Sequence, residues 1–324
     1  MRSSLLILIL SLAGLKGWAT SWITTEQLKS FVEATHGESD ANVASEIAGL
    51  ELTERLSSAQ LSRLLADLPG NRAREALLAL ADMSAFLDPP QSEIPSMETP
   101  DLASQHKMGA LAINYVNKTL HELPNLYATR ATTSFRCEMP WDKPLHSVGT
   151  YSDMEIYRDG QQLRKSRPHS RTAGLMTSGE FGPILSMAIL DAARGNLTWS
   201  HWEQGDTSPE AVFRYAVSAK ESHYVVQDQV TAYEGEIAID PSSGAILRIV
   251  VRADPDSAST LLVANIVVEY GVVELGGKSY ICPLRSIGFS EGRQVMWLND
   301  VVFKDYHLFR PEMRILPAFR EVTK

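Results

Sequence analysis

Apolar residues recur at helical spacing over roughly the first third of the chain and at a period of two from about Ala128 onward. In TTEQLKSFVEATH, Leu28, Phe31 and Val32 fall at i, i+3 and i+4 behind Thr24 or Thr25 as the N-cap. A second helix is predicted from Ser39 or Asp40, with Val43, Ile47 and Leu50 inward. Ser57 or Ser58 caps a third, whose Leu61, Leu64 and Leu65 face a partner until Pro69-Gly70 stops it. NRAREALLALADMSAFL supplies a fourth, ended by Pro89-Pro90. Short striped helices joined by tight turns predict an antiparallel helical array. The stretch 88–101 carries four prolines and no period, which predicts a linker or extended surface loop. One more amphipathic helix, LASQHKMGALAINYVNKTLHELPN, leads into the second half.

There the pattern alternates. SDMEIYRDGQQLRKS reads as a hairpin turning at Asp159-Gly160. LTWSHWEQGDTSPEAVFRYAVS and SHYVVQD read as further strands, the first with Trp199, His201 and Glu203 on one face and Trp202 on the other. In YEGEIAIDPSSGAILRIVVRAD, Ile237 and Ile239 alternate with Glu236 and Ala238, and Leu247, Ile249 and Val251 with Arg248 and Arg252. That predicts one apolar face and one wet face, with Asp240, Pro241 and Gly244 as turn residues. LLVANIVVEYGVVELGGKSYICPLRSIGF adds two strands around Gly276-Gly277, and RQVMWLNDVVFKDYHLF closes the series. A single helix interrupts, from about Glu180 to Ala193, with Ser178 as cap and Gly195 as stop. It places Phe181, Ile184, Leu185, Ala188 and Ala192 on one face, suited to covering a sheet. The predicted class is α+β: a curved antiparallel β-sheet forming an open half-barrel with a crossing helix, preceded by an N-terminal helical array.

The series GEIAIDPSSGAILRI, IVVEYGVVELGGKSYICP and NDVVFKDYHLF resembles the strand pattern of LolA-type and LolB-type periplasmic lipoprotein carriers and related exported bacterial proteins. The resemblance spans about Ala128 to Phe309 and implies an unclosed barrel whose concave face is plugged by helices, with an acyl chain carried between them. The preceding helical array has no counterpart in those small carriers.

The N-terminus changes the picture of where such a protein works. Arg2 precedes an apolar run of 11 residues, Leu5 to Leu15, and Gly17-Trp18-Ala19 offers the small residues read at a cleavage site. This predicts a signal peptide over 1–19 and export to the periplasm or the extracellular space. Eleven residues fall short of the about 20 that a membrane span needs. Loss of Arg2 and Lys16 takes the formal charge from −9 to −11. No Cys follows the run, which argues against lipid attachment, and no later segment predicts a transmembrane span. The chain then divides into a helical region over 20–125, a sheet domain over 126–310 and a C-terminal tail over 311–324. The acidic balance, with no basic cluster, excludes a nucleic-acid binder. The two cysteines, Cys137 and Cys282, either form a disulfide between neighbouring strands or are small buried hydrophobes.

Reactive constellations are sparse. Ser104 and Lys107 have Ser-x-x-Lys spacing without the partner motifs such an enzyme needs, so they read as the polar face of a helix. His201 with Glu203 starts a metal site that nothing completes. His146, His169, His223 and His307 stand singly. The reading is of no catalytic residues, no metal and no cofactor. It leaves a non-enzymatic envelope binder or carrier for an apolar or lipidated ligand, with Phe181, Ile184, Leu185 and Ala188 as lining candidates. The alternatives are a protein-protein interaction module that binds an envelope partner and, more remotely, a hydrolase.

Overall fold

The computed structural model describes residues 21–139, 144–165, 175, 177–194, 196–205, 207–253, 255 and 259–309. The predicted signal peptide, the tail over 311–324, His169 and the stop at Gly195 lie outside the described residues.

The helical array forms close to its predicted bounds, because each start carries a local cap. β1 (Ser21–Ile23) leads into α1 (Thr25–Ala34), where Thr24 and Gln27 form a reciprocal capping box. α2 (Asp40–Ile47) begins behind Ser39, whose side chain accepts from the Asn42 N–H. β2 (Leu50–Leu52) pairs with β1 in parallel, two strands of three residues too short to show a period. α3 (Ser58–Asp67) and α4 (Asn71–Ser84) complete the array. Leu28, Val43, Ile47, Leu61 and Leu77 lie in a core belonging to the array itself. The stretch 88–101 is extended apart from one 3-10 turn over Gln91–Glu93, and α5 (Leu102–Glu122) follows, capped by Asp101.

The second half is one sheet of ten antiparallel strands. β3 (Leu126–Glu138), β4 (His146–Arg158) and β5 (Gln161–Lys165) run as a meander to one edge. α6 (Pro183–Arg194) then carries the chain to the opposite edge, where β6 (Asn196–Gln204) and β7 (Pro209–Val217) begin again. A small separate hairpin, β8 (Val225–Val226) and β9 (Gln229–Val230), precedes β10 (Tyr233–Ile239) and β11 (Ile246–Ala253). β12 (Leu261–Leu275), β13 (Lys278–Gly292) and β14 (Val295–Leu308) finish the sheet, and β14 returns to pair with β3. The order is β5-β4-β3-β14-β13-β12-β11-β10-β7-β6, open at β5 and β6. Register shifts in β3, β12 and β14 mark bulges, which bend long strands. The α+β class with an unclosed antiparallel sheet therefore stands.

Both faces are covered. α5 and α6 lie on the inner face against Ile237, Ile249, Val251 and Val268. α4 packs on the outer face, where Ala79 and Ala85 meet Val250, Val267, Ile287 and Leu298. The stretch 88–101 takes the chain from one face to the other past edge strand β6, where Trp202 Nε1–H donates to the Glu98 carbonyl at 2.9 Å.

This corrects the expected wet face. Arg248 is buried beneath the array and donates twice to Glu203, at 2.8 and 2.7 Å, and Arg55 from the array donates to the same carboxylate. Burial by itself would raise the Glu203 carboxyl, but the hydrogen bonds and charge of Arg248, with Arg55 beside it, hold it far below the usual range. Arg252 donates to the Phe86 carbonyl at 2.8 Å. The strand pattern is as expected, but a second layer of protein occupies the place of solvent.

The cysteines stand apart. Strand β14 separates β3 from β13, and Cys137 is level with Met296 and hence with Glu291 of β13. Cys282 lies nine residues further along that strand, ~30 Å at ~3.3 Å per residue, so no bridge between neighbouring strands forms. Both are buried thiols, and burial pushes that of Cys282 up to about 12. No helix among the described residues is long and apolar enough to cross a membrane.

Candidate functional site

A cavity of about 860 Å³ opens between the inner face and the segment leading into α6. Its floor is formed by inner-face residues such as Ile266, Ser290 and Trp297, and its roof by Leu175, Thr177 and Ile184. A side wall comes from Tyr224 to Gln227, around β8.

The roof is held from below by the buried side chains of Asn299 and Arg130 and the half-buried Gln162. Asn299 Nδ2–H donates to the Leu175 carbonyl at 2.7 Å, and Asn299 Oδ1 accepts from the Ser134 hydroxyl at 2.8 Å. Arg130 donates to Thr177 Oγ1 at 2.8 Å and to Glu180 Oε1 at 3.2 Å. Gln162 accepts from the Gly179 and Phe181 N–H groups at 3.1 and 3.2 Å, while its amide N–H₂ donates to Glu155 and Glu180, both at 3.0 Å. Gly288 lies directly beneath: a Cβ there would stand 2.7 Å from Thr177 Cγ2, so a larger residue would push the Thr177 side chain aside.

The wall is fastened to α6 by Asp191. Its buried carboxylate accepts from His223 Nδ1 at 2.7 Å, the His223 backbone N–H at 3.0 Å and the Tyr233 hydroxyl at 2.8 Å. Burial raises the neighbouring Tyr224 hydroxyl to about 12, so that wall is neutral at physiological pH.

The four lining candidates separate. Ile184 lines the cavity. Leu185, the next residue, and Ala188, one turn further along, are buried in the core that α6 makes with the sheet. Phe181 precedes the helix and packs edge-on to Phe303 at 5.4 Å, in another cluster with Tyr157 and Cys282. Ser178 does not cap α6, which starts at Pro183: Gly179 instead offers its carbonyl to the Ile184 N–H at 2.9 Å. Helical periodicity correctly grouped the aliphatic residues but extended the helix by one turn.

The Trp-rich strand is also re-faced. A bulge after Trp199 inserts one residue, so Trp199 and Trp202 share the inner face with ring centroids 4.9 Å apart, and His201 and Glu203 point outward. The Glu203 carboxylate is engaged by two guanidinium groups. Among the described residues no group of three His, Cys, Asp or Glu is placed to hold a metal ion. Ser104 and Lys107 are exposed on α5. His223, read as one of several isolated histidines, is tied to Asp191, 32 residues away in sequence, a pairing that no local motif announces.

No protein-family model and no curated protein sequence matches the chain. Solved structures similar to it include one described as an outer membrane lipoprotein-sorting protein domain from Vibrio parahaemolyticus, at 14% identity and TM-score 0.31, covering 62% of this chain and 92% of that one. A LolA superfamily protein from Nitrosomonas europaea shares 9% identity at TM-score 0.29, over 62% of this chain and 94% of its own. A DUF1329 family protein from Desulfovibrio piger shares 12% identity at TM-score 0.32, over 67% and 97%. The LolA superfamily, which the hairpin series resembles, is thus among them. At these TM-scores no residue's role carries over.

Proposed function

We propose that this chain is a non-enzymatic cell-envelope protein that binds or carries an apolar or lipidated ligand in the inner-face cavity. The observation that carries this reading is a void of about 860 Å³ under a roof tied to the sheet by hydrogen bonds from Arg130 and Asn299. That volume lies in the range of about 300–1,000 Å³ typical of small-molecule sites. A bent sheet leaves apolar area that either side chains or a ligand must cover, and here α6 covers only part of it. The helical array supports the carrier reading over an interaction module, because its core and its contacts with the sheet already engage its apolar stripes.

The test is organic extraction of the purified protein with mass spectrometry of the extract, together with binding of a fluorescent fatty acid. Ile184→Trp pushes an indole into the roof end of the cavity at a packing cost of about 1–3 kcal/mol. It is expected to weaken dye binding tenfold or more in a protein that remains folded. No extractable ligand and no dye uptake by the unaltered protein would refute the proposal. The envelope location rests on the leader over 1–19, and N-terminal sequencing of the secreted fraction checks it, a start near Thr20 being expected.

A further inference from the structure

We propose that the β8–β9 hairpin is the gate of the cavity, hinged at its base on Asp191 and latched shut at its tip by Gln227. This rests on the reading of the cavity as a ligand site. Among the described residues the hairpin forms a two-stranded sheet of its own, with no strand pairing to the ten-stranded sheet. It closes on itself through the Thr231 N–H, which donates to the Tyr224 carbonyl at 2.9 Å, and the Ser222 hydroxyl, which donates to the Thr231 carbonyl at 2.6 Å. A unit that satisfies its own backbone can swing without breaking the larger sheet.

Strain sits at the tip. Val226 pairs with Gln229, so Gln227 and Asp228 are the two loop residues, at φ +49° and +65°. A two-residue turn with both φ positive favours Asn or Gly at its first position, and a long side chain there is strained. Such strain persists only where the surroundings hold it, and it gathers at clamps and switches. The holding contact is present: Gln227 Oε1 accepts from the Thr260 hydroxyl at 2.8 Å and from the Ser259 hydroxyl at 3.1 Å. Glutamine supplies a reach that the favoured turn residues lack. Gln227 and Thr260 both line the cavity, so the contact crosses its rim from the hairpin to the residue before β12.

The two ends of the hairpin differ in strength. Its base hangs on the buried carboxylate of Asp191, which takes the His223 ring, the His223 N–H and the Tyr233 hydroxyl. Hydrogen bonds to a buried charge are the strong ones. The latch is made of neutral groups, and Gln227 and Thr260 are exposed, so water replaces the contact readily when it opens. The tip therefore releases while the base holds, and Val225, which lines the cavity, moves with it.

The experiment is stopped-flow measurement of a fluorescent fatty acid binding to, and leaving, the full purified chain stripped of bound lipid. Gln227→Gly removes the latch and relaxes the turn, while Thr260→Val removes the shorter of its two contacts and leaves the turn unchanged. Loss of a latch that holds the gate in both the free and the loaded protein raises association and dissociation rates together. Each variant is expected to raise both rates about threefold or more, with Kd staying within about twofold. Rates equal to those of the unaltered protein in both variants overturn the gate, and the cavity remains a ligand site. Faster dissociation alone, with a weaker Kd, makes Gln227 and Thr260 ligand contacts and overturns the gate as well. No binding of the dye by the unaltered protein overturns both the gate and the ligand site. Thr260→Val, at an exposed position, keeps the test decisive even if Gln227→Gly folds poorly.

Discussion

Arg285 on β13 donates to two buried carboxylates, Asp300 of β14 at 2.7 Å and Asp82 of the array helix α4. One guanidinium cannot neutralise both. Complete burial, and then the neighbouring charge of Asp300, hold the Asp82 carboxyl well above its ordinary value despite Arg285, and its Oδ2 finds no hydrogen-bond partner among the described residues. A raised folded-state pKa means the folded protein binds the proton more tightly than the unfolded chain does. The stability this gives is fully present below the unfolded value of about 3.9 and is lost as pH rises through the folded value. Asp82→Asn mimics the protonated form, so urea unfolding at pH 7 should find it at least as stable as the parent, with the difference shrinking towards pH 4. A loss of more than about 1 kcal/mol at pH 7 would show Asp82 to be a stabilising anion. Arg285→Met strands a buried carboxylate pair and should cost about 3–5 kcal/mol. Glu203 acts in the opposite sense: its folded value is depressed, so its contribution is present above about 4.3 and fails only in stronger acid.

At the scale of elements, the Asp240 to Gly244 turn shows what local sequence can specify. Asp240 accepts from the Ser242 and Ser243 N–H groups at 2.7 and 2.8 Å, and Gly244 adopts φ +75°, as the turn reading requires. The packing of this turn on α5 was not legible: a Cβ on Gly244 would stand 2.4 Å from the Leu111 carbonyl carbon. Gly277 has φ +78° with nothing within 4 Å, and so serves as its control. Gly277→Ala should cost about 1–2 kcal/mol, the left-handed penalty alone. Gly244→Ala should cost clearly more in the same thermal unfolding assay, because α5 must also move. Equal costs would mean that the turn does not pin the helix. The same division holds elsewhere. Caps, hairpin turns and aliphatic stripes are written within a few neighbouring residues, so the array, most strands and the buried aliphatic stripe of α6 could be read directly. The bulge after Trp199 could not, because it depends on how β6 fits β7, and neither could the shorter α6, whose first turn gives way to a loop held by Gln162.

On the scale of the whole molecule, the sheet is clad on both sides, and the two sides do different work. The outer layer joins an array with its own core to the sheet through Arg55, Arg285 and a patch of small apolar contacts. The inner layer leaves space, and what encloses it comes from distant parts of the sequence: Asn299, Arg130 and Gln162 under the roof, Asp191 behind the wall. That is why the cavity could be anticipated only as a consequence of the bent sheet. Such a space has a thermodynamic consequence. If a ligand occupies the cavity in the folded state alone, then at one hundred times its Kd it adds about 2.7 kcal/mol to stability. For a chain of this size, that is a rise of about 4 °C in Tm. The rise should grow with the logarithm of ligand concentration and be smaller in Ile184→Trp, where the indole narrows the cavity. A rise of the same size in Ile184→Trp would place the ligand elsewhere on the protein, and a flat Tm with saturating amphiphile would mean that α6 and its preceding loop are a plug and nothing more.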